Sequence, residues 1–301
     1  MAIDINRGTT GVVTLPESIS AEIWGDTLSN SVVQQLARRT EMPAGGTRVQ
    51  MITGDPEAGW VDETDEKPVS DATFGSKFLQ PYKLAVIELF SDEFRRDKNA
   101  LYNELIRRLP YALGRKFDRT VFGYDAAPGQ NFDTLAAAPE FLLDGTIDPY
   151  FAALGSVADA KGDITGWAVS PAVELEAMQI NDGMDRPLLI NSLNSDRSIG
   201  SILGRPVYKH LDVAGTTLAT EPATGSEVVG FAGNWNEAVW GYVDNISFDI
   251  NDRGSVTKGD AQINLWQRNM FAVRVEVEIG FGVRDVNRFA KLITTAGTDG
   301  L

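Results

Sequence analysis

The clearest hydrophobic pattern lies near the end of the chain. Phe271, Val273, Val275, Val277, Ile279 and Phe281 alternate with Ala272, Arg274, Glu276 and Glu278. A repeat of two places the first set on one face of a strand and the second on the other. The pattern therefore predicts a long, half-buried strand of the antiparallel kind. Phe289, Leu292 and Ile293 predict a short strand returning beside it. A different period, three to four, runs from Lys98 to Tyr124 through Leu101, Leu105, Leu109, Ala112, Leu113, Phe117 and Val121. That spacing predicts one long helix. Pro110 sits inside it, and an interior proline costs about 3 kcal/mol and kinks a helix. The apolar stripe continues through the break, so one bent helix is expected and not two.

Weaker patterns fill in the rest. Met1 to Gly11 has little apolar content and reads as an extended arm. Thr14 and Glu17 form a capping box, with Pro16 in the first turn and Ile19, Ile23 and Trp24 at helical spacing. Val32, Val33 and Leu36 predict a second short helix, stopped before Pro43 and Gly45-Gly46. Arg48, Gln50 and Thr53 alternate with Val49, Met51 and Ile52 roughly as in a strand, and Phe74 to Phe90 has strand-like composition. Between them lie Asp55, Glu57, Asp62, Glu63, Asp65 and Glu66, with Trp60 and Val61 the main apolar residues. Such a stretch cannot bury enough surface to fold alone. Two strands with an acidic middle predict a long hairpin loop, and residues 54–80 are expected to be dispensable for folding. Asp125 to Gln130, with Pro128 and Gly129, is a turn and a domain boundary. Beyond it, Ile147 to Ala160 and Ala172 to Ile180 read as helices, and Trp167 to Val169 as a strand ending at Ser170-Pro171. Asn181 to Gly200 reads as a polar loop. Ile202 to Val213 and Val228 to Ile250 read as short strands, with Trp235, Trp240, Tyr242 and Phe248 as core or rim aromatics. No repeat of solenoid or propeller length is present.

Charge and composition narrow the function. The formal net charge is −15, and the pairs Arg38-Arg39, Arg95-Arg96 and Arg107-Arg108 are short. No basic patch of the kind that grips phosphates emerges, so any nucleic acid near this protein is not held tightly. The chain has no cysteine, which excludes disulfides, thiolate metal sites and cysteine nucleophiles. No apolar run is long enough to span a membrane, and the N-terminus has no secretory h-region. His210 is the single histidine, and its context, Val207 to Leu211, reads as a strand and not a catalytic loop. Zinc sites normally need more than one such ligand. Gly280-x-Gly282 lacks the third glycine of a dinucleotide fingerprint. Asp249 to Gly254 echoes a calcium loop, but Arg253 stands at its fifth position, so a tight turn is expected. None of the many carboxylates marks itself as a hydrolytic pair. The sequence thus predicts no catalytic residue, no cofactor and no metal site.

The order of features across Leu15 to Ile293 resembles the major capsid proteins of tailed bacteriophages with the Hong Kong 97-type fold. Pro81 to Phe94 resembles that family's hydrophobic strand and polar bridge, and Ala112 to Asp125 the end of its long spine helix. Trp167-Ala168-Val169-Ser170-Pro171 and Ile202-Leu203-Gly204-Arg205-Pro206-Val207 resemble strands of its axial domain. Gly230 to Trp235 is similar to a later turn of the family, with Ala232, Asn234 and Trp235 departing from the commoner residues. Phe271 to Phe281 resembles its long peripheral strand, and Arg288 to Leu292 its closing element.

The resemblance implies an α+β protein with five parts. These are an N-terminal arm and short helix (1–46), an extended loop (47–80), a peripheral domain with the spine helix (81–130), an axial α/β domain (131–250), and a second peripheral part (251–301). It implies a structural subunit, not an enzyme, that forms the hexamers and pentamers of an icosahedral shell around packaged double-stranded DNA. It would be made in the host cytoplasm and end in the virion. Portal, scaffolding and cementing proteins are the implied partners, with no membrane. Members often carry a cleaved scaffolding extension. This chain reaches the arm soon after Met1, which implies a separate scaffolding protein or none. Two other readings stand beside it: an encapsulin-like shell around enzyme cargo, and a carboxylate-dependent hydrolase with one deep cleft. Some relatives join subunits by a lysine–asparagine isopeptide bond. Lys67 and Lys77 are the lysines on the loop. Carboxylates surround Lys67, whereas Lys77 lies beside Phe78 and is the better placed for burial.

Overall fold

The computed structural model describes residues 31–52, 60–61, 74–92, 98–180, 201–216, 226–243, 246–259 and 261–295. The arm, the capping box at Thr14 and the polar stretch from Asn181 to Gly200 lie outside these residues. Two sheets, two hairpins and four α-helices make up the described chain, an α+β architecture.

The first sheet is built around the strand that the alternation predicts. That strand, β14 (Met270–Val283), pairs antiparallel with β4 (Tyr82–Ser91) along one edge. Its other edge carries β10 (Ala238–Tyr242) and β11 (Ser247–Asn251), and β1 (Arg38–Glu41) runs parallel to β10. All six predicted inward residues, from Phe271 to Phe281, are buried, while Arg274 is exposed. The second sheet has the order β5-β15-β9-β6-β8-β7. Its strands are β5 (Glu140–Leu142), β6 (Gly166–Val169), β7 (Ser201–Ile202), β8 (Arg205–Lys209), β9 (Ser226–Gly233) and β15 (Phe289–Thr295).

The short final strand is therefore not beside β14. Asp285 caps a 3-10 turn over Val286–Arg288, and this turn carries the chain out of one sheet and into the other, where β15 pairs with β9 and β5. Conversely, β10 and all but the last residue of β11 fall within the 131–250 stretch, but both strands hydrogen-bond into the first sheet. Periodicity marks which face of a strand is buried and carries no information on which sheet it joins.

Helix α1 (Val32–Leu36) starts at Ser31, whose hydroxyl accepts the Gln34 amide. Helix α2 (Lys98–Val121) runs unbroken past Pro110, as the continuous stripe requires. It stops in a Schellman motif: Gly123 takes φ +83°, its N–H donates to Thr120 and that of Tyr124 to Arg119. Helices α3 (Asp148–Asp159) and α4 (Pro171–Gln179) both have proline in the first turn and cover the second sheet. The C-terminal half of α2 joins the two sheets. Phe117 meets Phe281 of β14 edge to face at 6.1 Å, and Phe122 stacks on Phe231 of β9 at 4.7 Å.

The predicted hairpin forms from β2 (Thr47–Ile52) and β3 (Phe74–Leu79), paired from Thr47–Leu79 to Ile52–Phe74. Its root belongs to the core. Leu79 is 2% exposed and packs with Met42 and Val239, so the end of the 54–80 stretch contributes to the core. The chain breaks at Gln80–Pro81, which separates β3 from β4. A smaller hairpin, β12 (Ser255–Lys258) with β13 (Ala261–Asn264), follows the tight turn expected at Asp249 to Gly254. There Arg253 N–H donates to the Asn251 side chain.

Candidate assembly surfaces

The residues singled out for chemistry take structural roles. His210 caps a 3-10 turn, its Nδ1 accepting the Asp212 amide at 3.2 Å. Burial pushes its pKa below that of a free imidazole, against the pull of Asp212. Asp212 itself is held by Arg115 at 2.8 Å. Gly280 and Gly282 lie within β14 where it is crossed by the hairpin root. A Cβ on Gly280 would meet the Gln80 carbonyl oxygen at 2.7 Å, and one on Gly282 would meet Leu79 Cδ2 at 2.6 Å. They permit close packing and cradle no phosphate. Among the described residues no group of histidines and carboxylates is arranged to hold a metal, and no helix is long and apolar enough to cross a membrane.

Two polar clusters tie outlying segments to the body. The first fixes α1. Asp118 of α2 is fully buried, accepts the Ser31 hydroxyl at 2.6 Å on Oδ1, and accepts the Val32 amide at 2.9 Å on Oδ2. Burial pushes this carboxyl up to about 7, with its hydrogen bonds pulling the other way and Asp212 adding to the rise. Sequence reading missed it. The available signal was an acid four residues after Gly114 and three before Val121, on the buried side of α2. The second cluster fixes the hairpin. Lys77 Nζ lies 2.5 Å from Asp133 Oδ2 and donates to the Val283 carbonyl at 2.7 Å. Lys67 lies outside the described residues.

Apolar groups remain on the outside. Trp60 is 106% exposed relative to a free residue, Trp266 76%, Leu175 62%, Phe151 52% and Ile87 50%. Isolated exposed apolar residues are ordinary, but whole indoles in water are not, and they mark contact surfaces. A groove of about 820 Å³ opens between β4, the middle of α2 and β12. Val86, Ile87, Leu89 and Tyr111 line it, with Arg108 and Lys258 at its rim. The geometry offers surfaces for protein contact.

Comparison with known proteins agrees in kind. The description of the phage capsid family matches residues 11–293. A probable major capsid protein of Mycobacterium phage L5 is 31% identical over 289 residues, covering 89% of this chain and 86% of that one. A solved structure from Gordonia phage Cozz superposes with a TM-score of 0.68 at 25% identity, covering 89% of this chain and 87% of that one. Another, from Mycobacterium phage Ogopogo, gives 0.69 at 22% identity over 88% and 92%.

Proposed function

This chain belongs to the phage capsid family and is a structural major capsid protein of a phage head, and from that premise we propose how it builds the shell. The second sheet with α3 and α4 forms the axial part, through which copies gather into hexamers and pentamers of a Hong Kong 97-type lattice. The first sheet with α2 forms the peripheral part, which holds neighbouring capsomers together. The β2–β3 hairpin laps over an adjacent subunit.

The observation that carries this reading is the hairpin. Its root is anchored by Leu79 and Lys77, and Trp60, in the acidic sequence that joins its two strands, is wholly exposed. An anchored hairpin with an uncovered aromatic between its strands fits a contact made with another copy. The functional residues are then contact residues spread over a wide surface, and the protein is not an enzyme. Carrying −15 per copy, the wall encloses packaged double-stranded DNA without binding it. Portal, scaffolding and cementing proteins are its further partners, and synthesis takes place in the host cytoplasm. Electron microscopy of the purified protein tests the reading. Closed shells or ring-shaped capsomers are expected, and a dispersed monomer at high concentration overturns it.

A further inference from the structure

We propose that α1 is a proton-operated latch: it lies docked on α2 while Asp118 carries a proton, and it lifts off as that carboxyl ionises in neutral and alkaline solution. The chain ahead of residue 31 joins the body through α1, so its attachment follows the same proton.

The contact is built as a lid over one acid. Ser31 and Val33 are wholly buried, Val32 is 2% exposed, and Asp118 beneath them has no exposed surface. Val32 and Val33 share a core with Phe117 and Val121 of α2. Leu36 reaches β6, where a Cβ on Gly166 would meet its Cδ2 at 2.7 Å. The hydrogen bonds to Asp118 all come from the start of this unit: the Ser31 hydroxyl at 2.6 Å, the Val32 amide at 2.9 Å and the Val33 amide at 3.4 Å. Lifting α1 therefore strips the carboxyl of these partners and admits water to it.

The seat has no countercharge among the described residues. The charged group that acts on Asp118 is another acid, Asp212 of the 3-10 turn. Arg115 is spent on Asp212 at 2.8 Å, and Arg119 lies 3.4 Å from Asp125. His210 stands 3.6 Å from Asp212, with burial favouring its neutral ring, and Tyr111 faces Asp212 with its phenol pKa raised, chiefly by burial. Helix α1 brings only valine, glutamine and leucine. A carboxylate sealed in such a place is costly, whereas a hydrogen-bonded neutral carboxyl is not.

The neutral form fits the geometry. A proton on Oδ1 can be donated to Ser31 Oγ across the same 2.6 Å. The serine oxygen has a second lone pair for the Gln34 amide at 3.1 Å, and Oδ2 still accepts from Val32. Two arrangements thus compete. Docked, the carboxyl keeps its proton up to about 7. Lifted and hydrated, it returns to the ordinary aspartate value of about 4. Between the two, each pH unit favours the lifted arrangement by about tenfold, and above about 7 nothing more is gained.

Hydrogen exchange of the full-length subunit from pH 5 to 8, corrected for the intrinsic pH dependence of exchange, tests the latch. The opening constant for the amides of residues 32–37 should rise roughly a hundredfold over that range. At pH 8 these amides should exchange ahead of those of β14. A flat opening constant overturns the proposal. Exchange no faster than that of β14 at every pH also overturns it, because the opening is then global. Asp118→Asn can donate to Ser31 and accept from Val32 as the neutral carboxyl does, so its α1 should stay docked at every pH. A pH trend that survives in this variant places the proton on another group and overturns the latch. Should Asp118→Asn fail to fold, infrared spectra of the unmutated chain decide. A protonated-carboxyl band present at pH 6 and fading by pH 8 supports the proposal, and no such band at pH 6 overturns it.

Discussion

Lys77 and Asp133 hold the two backbone groups of one residue between them. Asp133 Oδ2 accepts the Val283 amide at 2.7 Å, Lys77 Nζ donates to the Val283 carbonyl at 2.7 Å, and the two side chains meet at 2.5 Å. The hairpin is thereby clamped to the end of β14.

The clamp bears on cross-linking. Attack on an asparagine needs a free, neutral amine, and that of Lys77 is committed to two acceptors in its own chain. We expect shells held without covalent bonds. Mature particles boiled in detergent should run as one band near 32.7 kDa. A ladder that disappears with Lys77→Ala or Lys67→Ala would show the opposite. Because Lys77 is about one-third exposed, Lys77→Ala should lower subunit stability by about 1 kcal/mol or less.

Asp118 gives a pH dependence of definite sign. Its folded value of about 7 lies well above the ordinary range of an aspartate carboxyl, so between the two the folded chain keeps a proton that the unfolded chain has released. Its contribution to stability is therefore greatest in acid, falls as pH rises from about 4 to 7, and is level above that. The difference in unfolding free energy between the native chain and Asp118→Asn should shift across that window, since other groups cancel. A difference independent of pH would show that the carboxyl titrates normally. Asp118→Ala, which strands the Ser31 hydroxyl and the Val32 amide, should cost roughly 2–4 kcal/mol in a denaturant titration.

The hairpin tip should be separable from the fold. Ile52 pairs directly with Phe74, so an Asn-Gly turn can replace residues 53–73. The melting temperature should change by no more than about 3 °C, while closed shells disappear. Extending the deletion to residue 80 removes Leu79 and should unfold the protein.

Free subunits should not bind DNA at moderate salt, given a net charge of −15. Submicromolar binding with a steep salt dependence in a filter assay would count against a passive wall.

Helix α2 and strand β14 were legible because each carries its period over many residues, with Pro110 unable to hide the stripe around it. The helix starts at Ser31 and Ser170-Pro171 follow from local rules that need no tertiary knowledge. The sheet that β15 joins was not legible. Phe289, Leu292 and Ile293 are buried, but an apolar pattern does not say in which sheet, and the strand follows the turn capped by Asp285. Asp118 was hidden for another reason. A carboxyl on a helix ordinarily reads as solvated, and its partners lie 85 or more residues away in sequence. The groove beside β4 was not legible, because it is lined by residues from three elements far apart in sequence.

The placement of β14 and β15 sets the timing of folding. Strands β4, β10 and β11 gain their common partner only when residues 270–283 are made, and β5 and β9 gain theirs only with residues 289–295. A nascent chain still on the ribosome holds two sheets that each lack an interior strand. Such long-range closure is slow. It also means that a translation product truncated before residue 270 has neither finished sheet to offer a growing lattice, so an incomplete polypeptide is sorted out by the fold before a copy can join.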